Sequence, residues 1–118
     1  MNRTLADRTE AFAIRVIHVY DAAPKRGANR VISNQMLRSG TSVGAHGREA
    51  FRSRSNAELI SKLETALQEL DETCYWIELL LETRSFTKRR LDPLMNEANE
   101  LTAILVSSVK TVVKKPPS

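Results

Sequence analysis

Apolar residues recur at alternating spacings of three and four along most of the chain, the period of one buried face of an α-helix. The longest unbroken series has seven positions: Leu59, Leu63, Ala66, Leu70, Thr73, Ile77 and Leu80. Shorter series of the same kind surround Phe12 and Leu101. The pattern predicts four helical segments, at about residues 5–22, 30–54, 55–83 and 92–113.

Local signals between these segments predict where the helices begin and end. Pro24 and Gly27 break the first segment. Ser55 followed by Glu58 is a capping box that opens the third segment, and Asp92-Pro93 predicts the start of the fourth, with proline at the first helical position. Because connections of a few residues make consecutive helices antiparallel, the prediction is all-α, an up-down-up-down four-helix bundle forming one domain over residues 1–118. Two helical hairpins exchanged with a second copy would fit the same pattern.

The second segment contains unusual residues for a helix interior, since each glycine costs about 1 kcal/mol relative to alanine. Its seam nevertheless keeps the helical spacing, through Met36, Gly40, Val43, Gly47 and Ala50. A continuous helix would place these glycines where missing side chains let another backbone approach closely. A loop near Gly40 is the alternative.

Composition narrows the class of protein further. The 118 residues include four Gly, four Pro, one Cys and 5% aromatic residues, a balance that argues against collagen-like, disordered and β-rich chains. No apolar run has the roughly 18 residues needed to cross a bilayer, and the first residues lack a signal-peptide pattern. A single Cys cannot form an internal disulfide. We therefore expect a cytoplasmic protein that does not enter membranes.

The net charge of +4 conceals a strong segregation along the chain. Residues 1–54 carry ten basic and four acidic side chains, residues 55–83 one and seven, and residues 84–118 seven and three. Charges of opposite sign can pair between neighbouring helices, so the segregation is first a packing signal. The basic excess is clustered, and such clusters attract polyanions. The clusters are Lys25, Arg26 and Arg30; Arg48, Arg52 and Arg54; Arg84, Lys88, Arg89 and Arg90; and Lys114 and Lys115.

Residues that could support catalysis or hold a metal are sparse. His18 and His46 are the only histidines, and the chain has no Glu-x-x-His pair of the kind that holds metal ions in helical bundles. His46 and Glu49, three residues apart, are more typical of a surface contact than of a metal site. Cys74 has no cation near it in sequence that would activate the thiol. We therefore expect no metal, no cofactor and no enzymatic activity.

The centre of the sequence resembles that of the four-helix-bundle proteins encoded in 23S rRNA intervening sequences. The similarity extends over essentially the whole chain, and its specific part is the run Gln-x-x-Arg-Ser-Gly-Thr-Ser-Val-Gly-Ala followed by Arg-Glu-Ala. The residues that carry it are Ser33 to Ala45, Arg48 to Ala50, Ser55 to Lys62, Glu69 to Glu72, Tyr75 and Trp76. His46 departs from the pattern, where the family usually has Asn.

This resemblance implies a cytosolic bacterial protein that forms a homopentameric ring of bundles, and a continuous second helix. It also suggests contact with RNA, because the family is encoded in rRNA insertions and related accessory proteins of retroelements bind nucleic acid. Phe51, Trp76, Leu80 and Leu81 offer apolar surface for an oligomer. Two hypotheses follow: non-specific binding of RNA or single-stranded DNA, or a protein-interaction scaffold with no nucleic-acid role. The candidate phosphate contacts are Lys25, Arg26, Arg30, Arg48, Arg52 and Arg54.

Overall fold

Four long helices account for nearly all of the computed structural model, which describes residues 3–115. They are α1 (Arg3–Ala22), α2 (Ala28–Phe51), α3 (Asn56–Glu82) and α4 (Lys88–Val113). No strand occurs among the described residues. The helices lie side by side in a bundle with extents of 50 × 20 × 19 Å. The all-α prediction is therefore confirmed.

Contacts between neighbouring helices show that the bundle runs up, down, up and down. Tyr20 near the end of α1 donates a hydrogen bond to Asn34 near the start of α2 (2.8 Å). Lys62 near the start of α3 lies 3.6 Å from Glu49 near the end of α2, and Thr73 further along α3 bonds to Ser39 earlier in α2, so these two helices also run in opposite directions. Arg8 of α1 contacts Glu97 and Glu100 of α4, so the first and last helices close the bundle within the chain.

The predicted seams form the core. All seven positions of the α3 series are buried, and Phe12, Val16, Leu101 and Leu105 are fully buried beside them. The third helix also begins as the capping box predicts, because the Ser55 hydroxyl accepts a hydrogen bond from the backbone N–H of Glu58 (3.1 Å). Burial of these side chains supplies most of the free energy that holds the helices together.

The second helix is continuous, so a loop near Gly40 is excluded. A Cβ at Gly40 would lie 2.7 Å from two Val16 methyl carbons, and one at Gly47 would lie 2.1 Å from the Thr9 hydroxyl. Gly40 and Gly47 thus lie on the α1–α2 seam, as predicted. Gly44 lies between them against the α1 backbone, where a Cβ would be 3.3 Å from the Thr9 carbonyl oxygen.

The predicted start of the fourth helix, at Asp92-Pro93, is wrong. The helix begins at Lys88, and Pro93 lies inside it. Leu91, one turn before Leu94 on the same face, is fully buried, and Phe86 packs against the core from the preceding loop. Packing of this extra turn outweighs the local signal, and proline there removes one backbone hydrogen bond near the exposed beginning of the helix.

Candidate nucleic-acid interface

The six candidate phosphate contacts fall into two groups at opposite ends of the bundle. Lys25, Arg26 and Arg30 lie in the α1–α2 loop and the first turn of α2, whereas Arg48, Arg52 and Arg54 lie at the end of α2 and just beyond it. The nearest members of the two groups, Arg30 and Arg48, are 18 residues apart in α2, which is about 27 Å along the helix. The structure therefore does not bring the six residues into one patch.

One end of the bundle, which we call the double-loop end, is formed by the α1–α2 loop and the α3–α4 loop. An apolar cleft of about 680 Å³ lies between these loops. Its lining is Ala22, Pro24, Leu81, Glu82, Arg84, Ser85, Phe86, Thr87 and Lys88. The α1–α2 loop and the α3–α4 loop are therefore neighbours, and the basic residues of both lie at the same end of the bundle.

Seven basic residues thus belong to the double-loop end: Lys25, Arg26, Arg30, Arg84, Lys88, Arg89 and Arg90. The last four were recognised in the sequence as a charged cluster but were not chosen as phosphate contacts. The up-down topology is the signal that could have placed them, since its first and third loops always share an end.

Most cations of the double-loop end are available to a partner. Among the described residues, only Lys88 has an acidic partner there, Asp92 at 3.8 Å. Lys25 donates to the Ala23 carbonyl (3.1 Å) and lies over the Tyr20 ring, 4.3 Å from its centroid. The other arginine side chains of this end are exposed and form no ion pair within residues 3–115.

The opposite end, which we call the single-loop end, contains the α2–α3 loop, the first turn of α1 and the last turn of α4. Its cations are mixed with acids: Arg54 lies 3.9 Å from Glu58, and Arg3 lies 4.0 Å from Asp7. Arg48 and Arg52 are exposed, and no ion pair joins either to another described residue.

The middle of the bundle, which we call the waist, is acidic and separates the two ends. Arg38 of α2 contacts Glu69 (3.3 Å) and Glu72 of α3. Arg8 contacts Glu97 (3.2 Å) and Glu100 (3.0 Å) of α4, and these hydrogen bonds raise the pKa of the Arg8 guanidinium. The exposed acids Glu64 and Asp71 lie on the outer face of α3 and pair with no cation among the described residues, and Glu78 lies on the same face one turn from the double-loop end. The ends are thus positive and the middle negative.

His46 takes part in a surface network rather than a metal cluster. Its Nδ1 lies 2.7 Å from one Glu49 carboxylate oxygen, and Lys62 of α3 lies 3.6 Å from the other. The hydrogen bond to His46 is the main reason that the pKa of Glu49 is lowered, with Lys62 adding to the effect. No group of three or more potential metal ligands occurs within residues 3–115.

Cys74 is half-buried against the core. Burial, with the nearby charges of Asp71 and Glu78, raises the pKa of its thiol to about 11. Because the thiolate is the nucleophilic form, the thiol is unreactive at neutral pH. None of the described helices is long and apolar enough to cross a membrane.

Comparison with known proteins agrees with the fold. A model of the 23S rRNA-intervening sequence protein family matches residues 2–107. A solved structure of a protein of unknown function from the S23 ribosomal protein family of Bacteroides thetaiotaomicron is 38% identical, with a TM-score of 0.82. The similarity covers 90% of this chain and 98% of that one. No curated protein matches the chain. The match over nearly the whole sequence, together with the four-helix bundle, places this chain in the 23S rRNA-intervening sequence protein family.

Proposed function

We propose that this protein is a non-catalytic homo-oligomer, of five copies, that binds RNA or single-stranded DNA through phosphate contacts from its basic ends. The observation that carries the proposal is the concentration of exposed, unpaired cations at the ends of a bundle whose middle is acidic. A phosphate backbone attracted to the ends would be repelled by the waist.

Several features favour weak and non-specific binding. Arginine and lysine contacts to phosphate give affinity and carry no direct sequence information. The common RNA-recognition modules that read bases use strand aromatics or a Gly-x-x-Gly clamp, on scaffolds other than a helical bundle. Five linked copies would compensate for weak contacts, because a second bound site becomes an intramolecular event at high effective concentration.

Binding should be visible directly with the purified full chain. A labelled oligouridine should show raised fluorescence anisotropy at low salt. Protein purified at low salt should carry nucleic acid, with a 260/280 absorbance ratio that falls after a high-salt wash. Absence of both signals would contradict the proposal.

A protein-interaction scaffold is the second candidate. The exposed acids on the outer face of α3 and the basic ends are complementary, so one copy could pair its end with the waist of the next. In that arrangement the cations would form ion pairs with acids of the neighbouring subunit and would not be available to nucleic acid. High salt would then dissociate the oligomer, and the anisotropy of added oligouridine would stay at the value of the free strand.

A further inference from the structure

We propose that the double-loop end is the strand-binding surface, with Arg84 and its neighbouring cations on the phosphates and one base in the cleft beside Phe86. This assignment rests on the proposed function and names the end of the bundle that carries it. It is argued from four observations: the backbone of Arg84, the first turns of α2 and α4, the contrast with the single-loop end, and the cleft.

Arg84 occupies a backbone position that normally belongs to glycine. After α3 ends, the Arg84 amide bonds to the Leu81 carbonyl and the Ser85 amide to the Leu80 carbonyl, both at 3.1 Å. These two bonds are the Schellman motif, whose turning residue adopts positive φ. Arg84 has φ 55°, the only positive φ at a non-glycine residue among those described. The side chain of Arg84 is exposed, so this strained conformation marks Arg84 as a candidate functional residue.

The helices that begin at the double-loop end also carry charge of the unfavourable sign. The first turn of α4 holds Lys88, Arg89 and Arg90, and that of α2 holds Arg30, with no acidic residue in either. Cations repel the positive end of a helix dipole. Neither helix has a side-chain cap hydrogen bond to offset the effect. The helix dipole therefore opposes these four cations, and the opposition is partly offset at Lys88 by its pair with Asp92 and at Arg30 by a hydrogen bond to the Lys25 carbonyl.

At the single-loop end, the same energetics account for the charges. Arg48 and Lys110 lie in the last turns of α2 and α4, where cations stabilise the helix, and Glu58 lies in the first turn of α3, where an acid does. Arg3, in the first turn of α1, is the exception at this end, and it pairs with Asp7 one turn later. At the double-loop end, four of the seven cations lie at helix beginnings, against the local preference, whereas Lys25, Arg26 and Arg84 follow helix ends, where the dipole favours a cation.

Besides phosphates, a single strand offers unstacked bases, and the cleft between the two loops is a place where one base can bind. Its walls are mostly apolar, with Phe86 half-buried between the cleft and the core, and its charged lining residues are Arg84 and Lys88 with one acid, Glu82. An unstacked base can lie against an aromatic ring while cations contact the adjoining phosphates, the arrangement used by proteins that bind single strands without sequence preference. A duplex, whose bases are already stacked, would gain only the phosphate contacts.

Arg84→Gly gives the sharpest test because glycine suits the positive φ, so loss of binding cannot follow from unfolding. We expect the variant to be at least as stable in urea unfolding as the wild type, and to bind oligouridine more weakly. Arg84→Lys, which keeps the charge, should retain binding. If Arg84→Gly binds oligouridine as well as the wild type does, Arg84 has no part in binding and the assignment is wrong.

Three double variants, each removing two positive charges, locate the surface. Arg89→Gln with Arg90→Gln should make the negative slope of log affinity against log salt shallower by about 1.4, or about 0.7 for each lost contact. Arg48→Gln with Arg52→Gln should change the slope less. Arg15→Gln with Arg38→Gln, at exposed positions in the middle of α1 and α2 and away from both ends, is the matched control and should leave the slope unchanged.

Phe86→Leu tests the cleft, because it keeps apolar bulk and removes the ring. We expect oligouridine affinity to fall by about fivefold or more, and affinity for a duplex of equal charge to be unchanged. Equal losses on both probes would overturn base binding in the cleft.

The remaining outcomes are distinguishable. Wild-type binding that is lost with the Arg48 and Arg52 pair but kept with the Arg89 and Arg90 pair would overturn the assignment and leave the proposed function standing. No wild-type binding at low salt would overturn both.

Discussion

Three glycines set the distance between α1 and α2. Gly40 and Gly47 face the Val16 and Thr9 side chains, and Gly44 faces the backbone of α1. The spacing in the sequence predicts Gly40 and Gly47, because they fall on the apolar seam. It does not predict Gly44, since close backbone approach lies beside the seam and depends on how the two helices cross.

Replacing Gly47 by Leu should destabilise the protein by about 3 kcal/mol or more, because the Cβ alone would overlap the Thr9 hydroxyl. The free energy of unfolding in urea measures the effect. Ala45→Leu is the control on the same helix, at an exposed position, and should change stability by less than about 0.5 kcal/mol. Equal stabilities for the two variants would contradict the close packing of α1 and α2.

Cys74 should react slowly with iodoacetamide. Raising the thiol pKa from 9.0 to about 11 lowers the thiolate fraction at pH 8 by about a hundredfold. The rate should therefore rise about tenfold per pH unit up to pH 10, and unfolding in urea should accelerate it at pH 8. A rate in the folded protein equal to that in urea would contradict the burial of Cys74.

The third and fourth helices differ in how fully local sequence determines them. The start of α3 is predictable because its cap, Ser55, and its seam agree. The start of α4 is not predictable in this way, because Asp92-Pro93 is a strong local signal for a later start. Burial of Leu91 and Phe86 stabilises the extra turn only once the core has assembled. Propensity is a weak prior wherever buried side chains lie just outside the predicted boundary.

Ser55→Ala should destabilise the protein by about 1 kcal/mol, because the Glu58 amide loses its acceptor at the start of α3. Thermal and urea unfolding both measure this loss. Ser55→Asp, which can still accept that hydrogen bond, should restore most of the stability. Ser61→Ala, at an exposed position of α3, should have little effect. Equal stabilities of the Ser55→Ala variant and the wild type would show that the cap contributes nothing.

At the scale of the whole molecule, the charge pattern is predictable only in part. Counting along the sequence shows that the third segment is acidic and its neighbours basic. Placing the cations at two ends around an acidic waist requires the topology as well. All seven cations at the double-loop end were named in clusters from the sequence, but only three of them were chosen as phosphate contacts. The special place of Arg84 could not have been predicted, because the spacing of residues does not reveal a strained backbone conformation.

The oligomer also belongs to this scale, and the structure revises the residues expected to form it. Leu80 is fully buried and belongs to the core, and Trp76 and Leu81 are half-buried. Phe51 is exposed, as are apolar side chains that the sequence analysis had not singled out, among them Ile14, Ile17 and Val106. Single exposed apolar residues are ordinary, so the number of copies has to be measured.

Sedimentation equilibrium at micromolar concentration should give a mass five times that of the 13.3 kDa chain. The physical reason is that helix faces with exposed apolar residues can be buried in a closed ring of identical, head-to-tail interfaces. A monomer would contradict the oligomer, and a dimer would contradict the ring.

The salt dependence of wild-type binding tests the central claim, that the basic ends of this bundle bind single-stranded nucleic acid. Affinity for a labelled oligouridine is measured over a series of salt concentrations. The account predicts a linear fall of log affinity against log salt, with a slope steeper than about −2, corresponding to three or more phosphate contacts. Undetectable binding at the lowest salt, or an affinity that does not change with salt, would contradict it.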